Sequence, residues 1–257
     1  MISRQKIEFI RSLAHKKDRE IAGCFVAEGE KLVSDLLKTN LDLLEIYCTS
    51  EGISTFESTA KTRSAIQLSD REMKRISAFK NPSSTLALFK IHEVEKITDD
   101  TFQGINIVLD GIQDPGNLGT IVRMADWFGI SNIFCSNECA DLYNPKCVQS
   151  TMGALARVQV HYVDLIELLI KAVARHVPVY GTFMEGENLF STELSAQALV
   201  LMGSEGKGIS DKLIPLLTKK ISIPPYPADS RQLESLNVAV SASIVCAEFR
   251  RRMTRNP

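Results

Sequence analysis

Apolar positions recur along this chain with two periods. Ile7, Ile10 and Leu13 share one face of a helix predicted over residues 3–14, with Arg4, Lys6 and Arg11 between them. Phe25-Val26-Ala27-Glu28-Gly29 reads as a short strand. The pattern then predicts a helix over 30–38, strands over 43–48 and 65–68, a helix over 69–76 and a strand over 85–91. Such alternation describes a small α/β unit. Between 93 and 104 the chain turns polar, which places a domain boundary there and divides the sequence into 1–95 and 101–257.

Beyond the boundary the alternation sharpens. Ile105–Leu109 is a buried-strand candidate, and strands are expected at 132–136, 157–162, 177–182, 198–202 and 220–223. Helices are expected at about 117–128, at 164–175, at 209–217 and at 235–252, the last ending in Arg250-Arg251-Arg252. Short apolar strands separated by helices predict an α/β fold: a mostly parallel sheet with helices on both faces. There is no internal repeat and no low-complexity tract.

Composition narrows the chemistry only modestly. The 257 residues are 44% hydrophobic and 24% charged, with a net charge of −1, so no global basic field announces a nucleic acid. RNA contact would have to come from local patches. The start of the chain has no apolar signal region, and the six cysteines are dispersed, which suits reduced thiols in the cytoplasm. Cys135, Cys139 and Cys147 lie close in sequence but form no CxxC pair and have no nearby histidine, so buried small hydrophobes are expected there, not a metal site. No apolar run is long enough to suggest a membrane span.

Three segments fall at the carboxyl ends of predicted strands, where open α/β sheets bind ligands. In Asp110-Gly111 through Ala125, residues Leu118, Ile121, Val122, Ala125 and Phe128 make one apolar stripe, and Arg123 lies nearly opposite it. Asn117 stands where a side chain would cap the helix. By itself this is a capped surface helix with a solvated arginine. In Met202-Gly203-Ser204-Glu205-Gly206-Lys207-Gly208, glycines allow close backbone approach, but neither phosphate-loop nor dinucleotide spacing is present. By itself this is a strand-to-helix turn. In Ile223-Pro224-Pro225-Tyr226-Pro227 followed by Ser235-Leu236-Asn237-Val238, prolines fix an extended loop, and Ser235 or Asn237 can start the final helix.

Together, Asn117-x-Gly119-x-x-x-Arg123-x-Ala125, Gly203-x-Glu205-x-x-Gly208 and Ile223-Pro224…Ser235-Leu236-Asn237-Val238 resemble, in order and separation, the three motifs of the SpoU/TrmH-type RNA ribose methyltransferases of the SPOUT superfamily. The stretch from Arg19 through Phe25–Val33 resembles that family's substrate-binding domain, so the resemblance covers nearly the whole chain. One departure stands out. Pro225 occupies the place of the family's usual methionine, and the loop 226–232 is longer and lacks glycine.

The resemblance implies a C-terminal trefoil knot, a feature that periodicity does not show and general topology rules disfavour. It also implies S-adenosylmethionine as cofactor and a homodimer whose active sites draw on both subunits. On this reading Gly203, Ile223 and Leu236 hold the cofactor. Arg123 is the principal catalytic residue, supported by Asn117, Glu205, Ser235 and Asn237. Glu205 would orient Arg123 or the nucleotide, or else cap the following helix. Arg11, Lys16, Lys17 and Arg19, with Arg4 and Lys6 nearby, would contact RNA phosphates, and Arg250–Arg252 and Arg255 would extend that surface or complement a helix end. A separate N-terminal domain favours ribosomal RNA over tRNA. The alternative is a non-catalytic RNA-binding or assembly factor that retains the fold. A methylase conferring antibiotic resistance would share every motif.

Overall fold

The computed structural model describes residues 2–56, 65–227 and 235–253. Leu233, Glu234, most of the loop 226–232 and Arg255 lie outside the described residues. The chain forms two compact units, one running up to Glu93 and including Asp141–Ala156, the other comprising Val94–Ala140 and the chain from Arg157 onward.

The first unit opens with α1 (Arg4–Ser12) and α2 (Lys16–Ala22), which lead to β1 (Cys24–Glu28) and α3 (Glu30–Leu37). After β2 (Leu43–Cys48) and α4 (Ser50–Phe56) come β3 (Ile66–Gln67), α5 (Asp70–Ile76) and β4 (Thr85–Lys90). Its four-stranded sheet has the order β1-β4-β2-β3, antiparallel except for the β2–β3 pair. All of β1 is buried, which explains its unbroken apolar run. One face of the sheet packs on Ile7, Ile10 and Leu13, the stripe visible in the sequence.

The second unit comprises β5 (Ile105–Asp110), α6 (Pro115–Trp127) and β6 (Asn132–Cys135), then β7 (Gln159–Tyr162), α8 (Leu165–Ala174) and β8 (Val179–Asn188). In the first unit's excursion between β6 and β7 lies α7 (Pro145–Thr151); β9 (Ala198–Gly203), β10 (Lys219–Ser222) and α9 (Val238–Met253) complete the second unit. Six parallel strands take the order β10-β8-β9-β5-β6-β7. From β5 the chain winds outward through β6 to β7, then crosses to the other side for β8, β9 and β10. The direction therefore reverses between β5 and β9. Leu165, Leu168 and Leu169 of α8 are buried beside Val108, Phe134 and Leu199; each leucine contributes roughly 1.5–3 kcal/mol of apolar burial.

Several boundaries differ from the pattern, each for a local reason. Helix α6 begins at Pro115 because Asp114 caps it, its Oδ1 accepting from Asn117 N at 2.9 Å, and proline suits a first helical turn. Residues 209–217 make a 3-10 turn, Asp211–Leu216, and no α-helix, since Pro215 lacks the N–H that a helix interior needs. Strand β8 runs on to Asn188 through a mostly exposed polar half that carries no apolar signal. Helices α4 and α7 were not expected. The second is started by Asn144 and Pro145, which read equally well as a turn.

The excursion Asp141–Ala156 was expected to stay with the C-terminal segment. In the structure Tyr143 sets its ring 4.8 Å from that of Phe25, and Asp141 pairs with Arg19. Arg19 is only 2% exposed, and its Nη1 donates to the Leu13 carbonyl at 2.6 Å. The structure therefore removes Arg19 from the RNA-contacting set: a guanidinium folded into the core cannot reach a phosphate. Arg11, Lys16 and Lys17 are exposed.

The C-terminal arginines are also structural. Arg250 donates from Nε to the Phe128 carbonyl at 2.7 Å and from Nη2 to the Gly129 carbonyl at 2.9 Å, closing the end of α6, not that of its own helix. Arg252 donates to the carbonyls of Leu189 and Thr192. Arg251 and Arg252 both bind Glu248, which is 5% exposed.

Two expectations follow. Arg19→Ala leaves Asp141 without its partner in a mostly buried setting and should lower unfolding free energy by about 3 kcal/mol or more, read from denaturant melts. The hydrogen bonds from Arg251, then Arg252, hold the Glu248 carboxyl down at about 2. A depressed folded value means this contribution is complete above the ordinary carboxylate range and is lost as pH falls toward 2. The Glu248→Gln variant should accordingly show a shallower loss of thermal stability between about pH 4.5 and pH 2.

Candidate active site

The reversal between β5 and β9 is where an open parallel sheet leaves a crevice beyond its strand ends. Asp110, last residue of β5, lies in register with Gly203, last residue of β9. From Gly203 the chain folds back sharply: Ser204 and Gly208 exchange backbone hydrogen bonds of 3.1 and 2.9 Å. A Cβ on Gly203 would stand 2.1 Å from the Gly208 carbonyl carbon and 2.3 Å from Ile209 N, so only glycine fits. Gly208 itself has φ +67°, a conformation that also favours glycine. The Asp110 carboxylate ties the return leg to β5 by accepting from Ser210 N at 2.7 Å.

Behind this turn lies a cavity of about 670 Å3, lined by Gly203, Glu205, Ile223, Ser235, Leu236 and Val245, among others. The residues expected to hold a cofactor, Gly203, Ile223 and Leu236, thus meet in one space although they come from two separate connections, after β9 and between β10 and α9. Met202, Val238 and Val245 give it an apolar wall, and Glu185, Glu205 and Asp211 give it carboxylates. On the other side of the turn is a second cavity of about 440 Å3, bounded by Asp110, Gln113, Asp114, Glu138 and Lys212 and sharing Ser204, Glu205, Lys207 and Gly208 with the first.

Three of the expected catalytic residues form a closed hydrogen-bonded cluster. Asn117 Nδ2 donates to Glu205 Oε1 at 2.6 Å. Asn237 Nδ2 donates to Asn117 Oδ1 at 3.0 Å and to Glu205 Oε1 at 3.2 Å. The orientation of Asn237 is fixed from the opposite side, since its Oδ1 accepts from Ala239 N and Val240 N and so caps α9. Asn117 does not cap α6; with Asp114 in that role, its amide is free to reach Glu205. Glu205 neither caps the turn after it nor meets Arg123. It serves as common acceptor for the two asparagines, joining all three motifs.

Ser235 lines the larger cavity but has no side-chain hydrogen bond among the described residues. Arg123 stands apart. It is exposed on α6, one turn before Trp127, and makes no ion pair or hydrogen bond among the described residues. Thr120, Arg123 and Trp127 form an open face of that helix, and Trp127 is 85% exposed.

The site also depends on residues the sequence did not single out. Ser136 Oγ accepts from Gly111 N at 3.0 Å. Cys139 accepts from Ile112 N at 3.2 Å and donates to the Leu109 carbonyl at 3.3 Å. The side chain of Cys135, followed by that backbone N–H, draws the Cys139 thiol down to about 7. Cys139 thus fixes the loop after β5 and is more than apolar filler. All six cysteines are buried and none is bridged to another, and the described residues contain no group of His, Cys, Asp and Glu able to hold a metal. No helix among the described residues is long and apolar enough to cross a membrane.

Comparison with known proteins agrees with this geometry. Residues 104–247 match the SpoU rRNA Methylase family, and residues 4–87 match the MRM3-like substrate binding domain. The chain is 30% identical to the 23S rRNA (guanosine(2553)-2′-O)-methyltransferase RlmP of Bacillus subtilis, over 96% of each sequence. A TrmH-family RNA methyltransferase structure from Porphyromonas gingivalis, described as putative, superposes with a TM-score of 0.84 at 36% identity, covering 98% of this chain and 99% of that one. An AdoMet-bound rRNA methyltransferase from Sinorhizobium meliloti superposes with a TM-score of 0.84 at 26% identity, over 98% and 97%.

The cluster itself is testable. Asn237→Ala should cost about 1 kcal/mol through the lost α9 cap alone. Asn237→Asp keeps the capping oxygen but sets a carboxylate against Glu205. Its stability deficit relative to the wild type should therefore be larger at pH 7 than at pH 4, as measured by thermal melts of both proteins at the two values.

Proposed function

This chain belongs to the SpoU rRNA methylase family, and on that premise we propose that it transfers a methyl group from S-adenosylmethionine to a ribose 2′-hydroxyl of ribosomal RNA. The observation that carries the reading is the meeting of Gly203, Ile223 and Leu236 in one cavity with the Asn117–Glu205–Asn237 cluster at its edge. The cavity suits the cofactor chemically: its apolar wall accommodates the adenine and thioether carbons, and its carboxylates complement a sulfonium and an ammonium. The described relative RlmP acts on a guanosine of 23S rRNA, and the Sinorhizobium enzyme binds AdoMet.

When bound, S-adenosylmethionine supplies a methyl group that is already activated. The protein's task is then placement and charge. Backbone groups at Gly203, Ile223 and Leu236 hold the donor, while the rigid turn at Gly203–Gly208 prevents its site from collapsing. Glu205 and the two asparagines align the incoming ribose, and Ser235 contacts it from the head of α9. In-line positioning of the 2′-oxygen supplies much of the rate enhancement. Arg123 carries a guanidinium that stays protonated, with a pKa above about 12. Its role is to grip the target phosphate and stabilise negative charge developing on the 2′-oxygen, whose proton passes to a phosphate oxygen of the RNA.

Arg123 lines neither cavity of its own chain, and exposed Trp127, Leu236 and Val240 lie on α6 and around the start of α9, two helices that pack on each other. These features support a homodimer in which Arg123 serves the partner's cavity. Arg11, Lys16 and Lys17 contribute phosphate contacts from the first unit. The sheet order, with β8 between β10 and β9, is compatible with the knotted path that the family resemblance implies. Buried, unbridged thiols suit a reducing cytoplasm.

Calorimetric titration with S-adenosylmethionine, followed by transfer of labelled methyl to bulk rRNA, tests the whole reading. Arg123→Ala should abolish transfer while leaving cofactor affinity nearly unchanged. Mixing Arg123→Ala chains with Gly203→Ala chains should restore activity in the mixed dimers, because one intact composite site then forms. Cofactor binding without transfer to any RNA would indicate an assembly factor that retains the fold.

A further inference from the structure

We infer that the first unit contains a separate nucleobase pocket, built around Glu28 and selective for an unstacked guanine of the RNA substrate. This inference rests on the RNA reading above. Glu28 ends β1 and is 3% exposed. Its Oε1 is fully engaged, accepting from Ser77 Oγ at 2.7 Å and from Ser83 N at 3.0 Å. Its Oε2 is buried and has no hydrogen-bond partner among the described residues. Buried polar atoms are nearly always paired, because an unpaired one loses its hydration without replacement. A carboxylate oxygen only accepts, so the missing partner must be a donor.

Glu28 lines a cavity of about 380 Å3, together with Gly29, Phe79, Lys80, Asn81 and Gln149. Gly29 has φ +115°, and a side chain there would project toward Gln149 Nε2, 3.7 Å from the added carbon. Glycine is thus favoured there by the backbone conformation. The walls supply an aromatic ring, two amides and a cation around one fixed acceptor. Unpaired bases are recognised in this way: stacked on an aromatic side chain, hydrogen-bonded along one edge, with the phosphate met by a basic residue. Of the four bases, guanine alone sets a ring N–H beside an amino group on one edge, the complement of a carboxylate oxygen. Its carbonyl and ring-nitrogen acceptors suit the amides of Asn81 and Gln149. Lys80 is exposed at the rim, where a phosphate would pass. All but Gln149 fall within the segment that matches a substrate-binding domain.

Because Oε2 makes no hydrogen bond among the described residues, Glu28→Gln keeps their hydrogen bonds and replaces an acceptor with a donor. The full-length protein is titrated by fluorescence anisotropy with labelled oligouridylates carrying one central guanosine, inosine or adenosine. The wild type should bind the guanosine oligomer about tenfold or more tightly than the adenosine one, with inosine between them. Glu28→Gln should erase that preference while its melting temperature stays equal or rises. Phe79→Ala should weaken all the oligomers by about tenfold, since stacking is indifferent to the base. Equal wild-type affinity for the three oligomers would overturn the inference and assign Oε2 to water alone. A guanine preference surviving in Glu28→Gln would overturn it as well. Either outcome, with methyl transfer to rRNA intact, leaves the proposed function standing. Absence of both RNA binding and cofactor heat in the wild type would instead remove the function and the pocket together.

Discussion

At the carboxyl end of β9 the backbone runs so close to the returning Gly208–Ile209 segment that no side chain fits between them. That contact sets the position of the loop, and the loop carries Glu205. Glu205 in turn gathers Asn117 from the head of α6 and Asn237 from the head of α9. The tie from Asp110 to Ser210 anchors the same loop to the neighbouring strand. A steric constraint at one glycine is thereby converted into the alignment of three polar side chains from distant parts of the chain. Asn237 must point its carbonyl at the α9 amides, so its amide can only face Glu205; helix capping and site assembly are a single arrangement.

The basic residues divide by the same logic. A guanidinium has several donors in a rigid fork and is well suited to closing carbonyl groups at chain ends. Arg19, Arg250 and Arg252 are used in this way, and Arg251 secures Glu248. Arg11, Lys16 and Lys17 remain at the surface, and Arg123 faces outward from α6. A chain with almost no net charge can still present positive charge locally, because its surface charges are unevenly distributed.

The two units divide the labour of an RNA-modifying enzyme. The second supplies a cavity at the reversal of a parallel sheet, where loops from different strands meet without disturbing the core. The first supplies a small sheet whose edge strand β1 is buried along its length and ends in a carboxylate beside a glycine.

Much of this was legible in the residues. Periodicity located the strands of both sheets and the buried stripe of α6, because burial on one side of an element imposes its repeat on the sequence. The three motifs marked the loops that meet at the cavity. What the pattern could not decide was partnership. Whether an arginine lies in the core or in water depends on what faces it: Arg19 reads like its neighbours until Asp141, far along the chain, is folded against it. Asn117 likewise reads as a helix cap until Glu205, some ninety residues later, is folded against its amide; Asp114 does the capping. Local sequence sets the elements because their hydrogen bonds and apolar faces are local. Only the tertiary structure assigns partners to polar groups, because those contacts join positions with no fixed spacing.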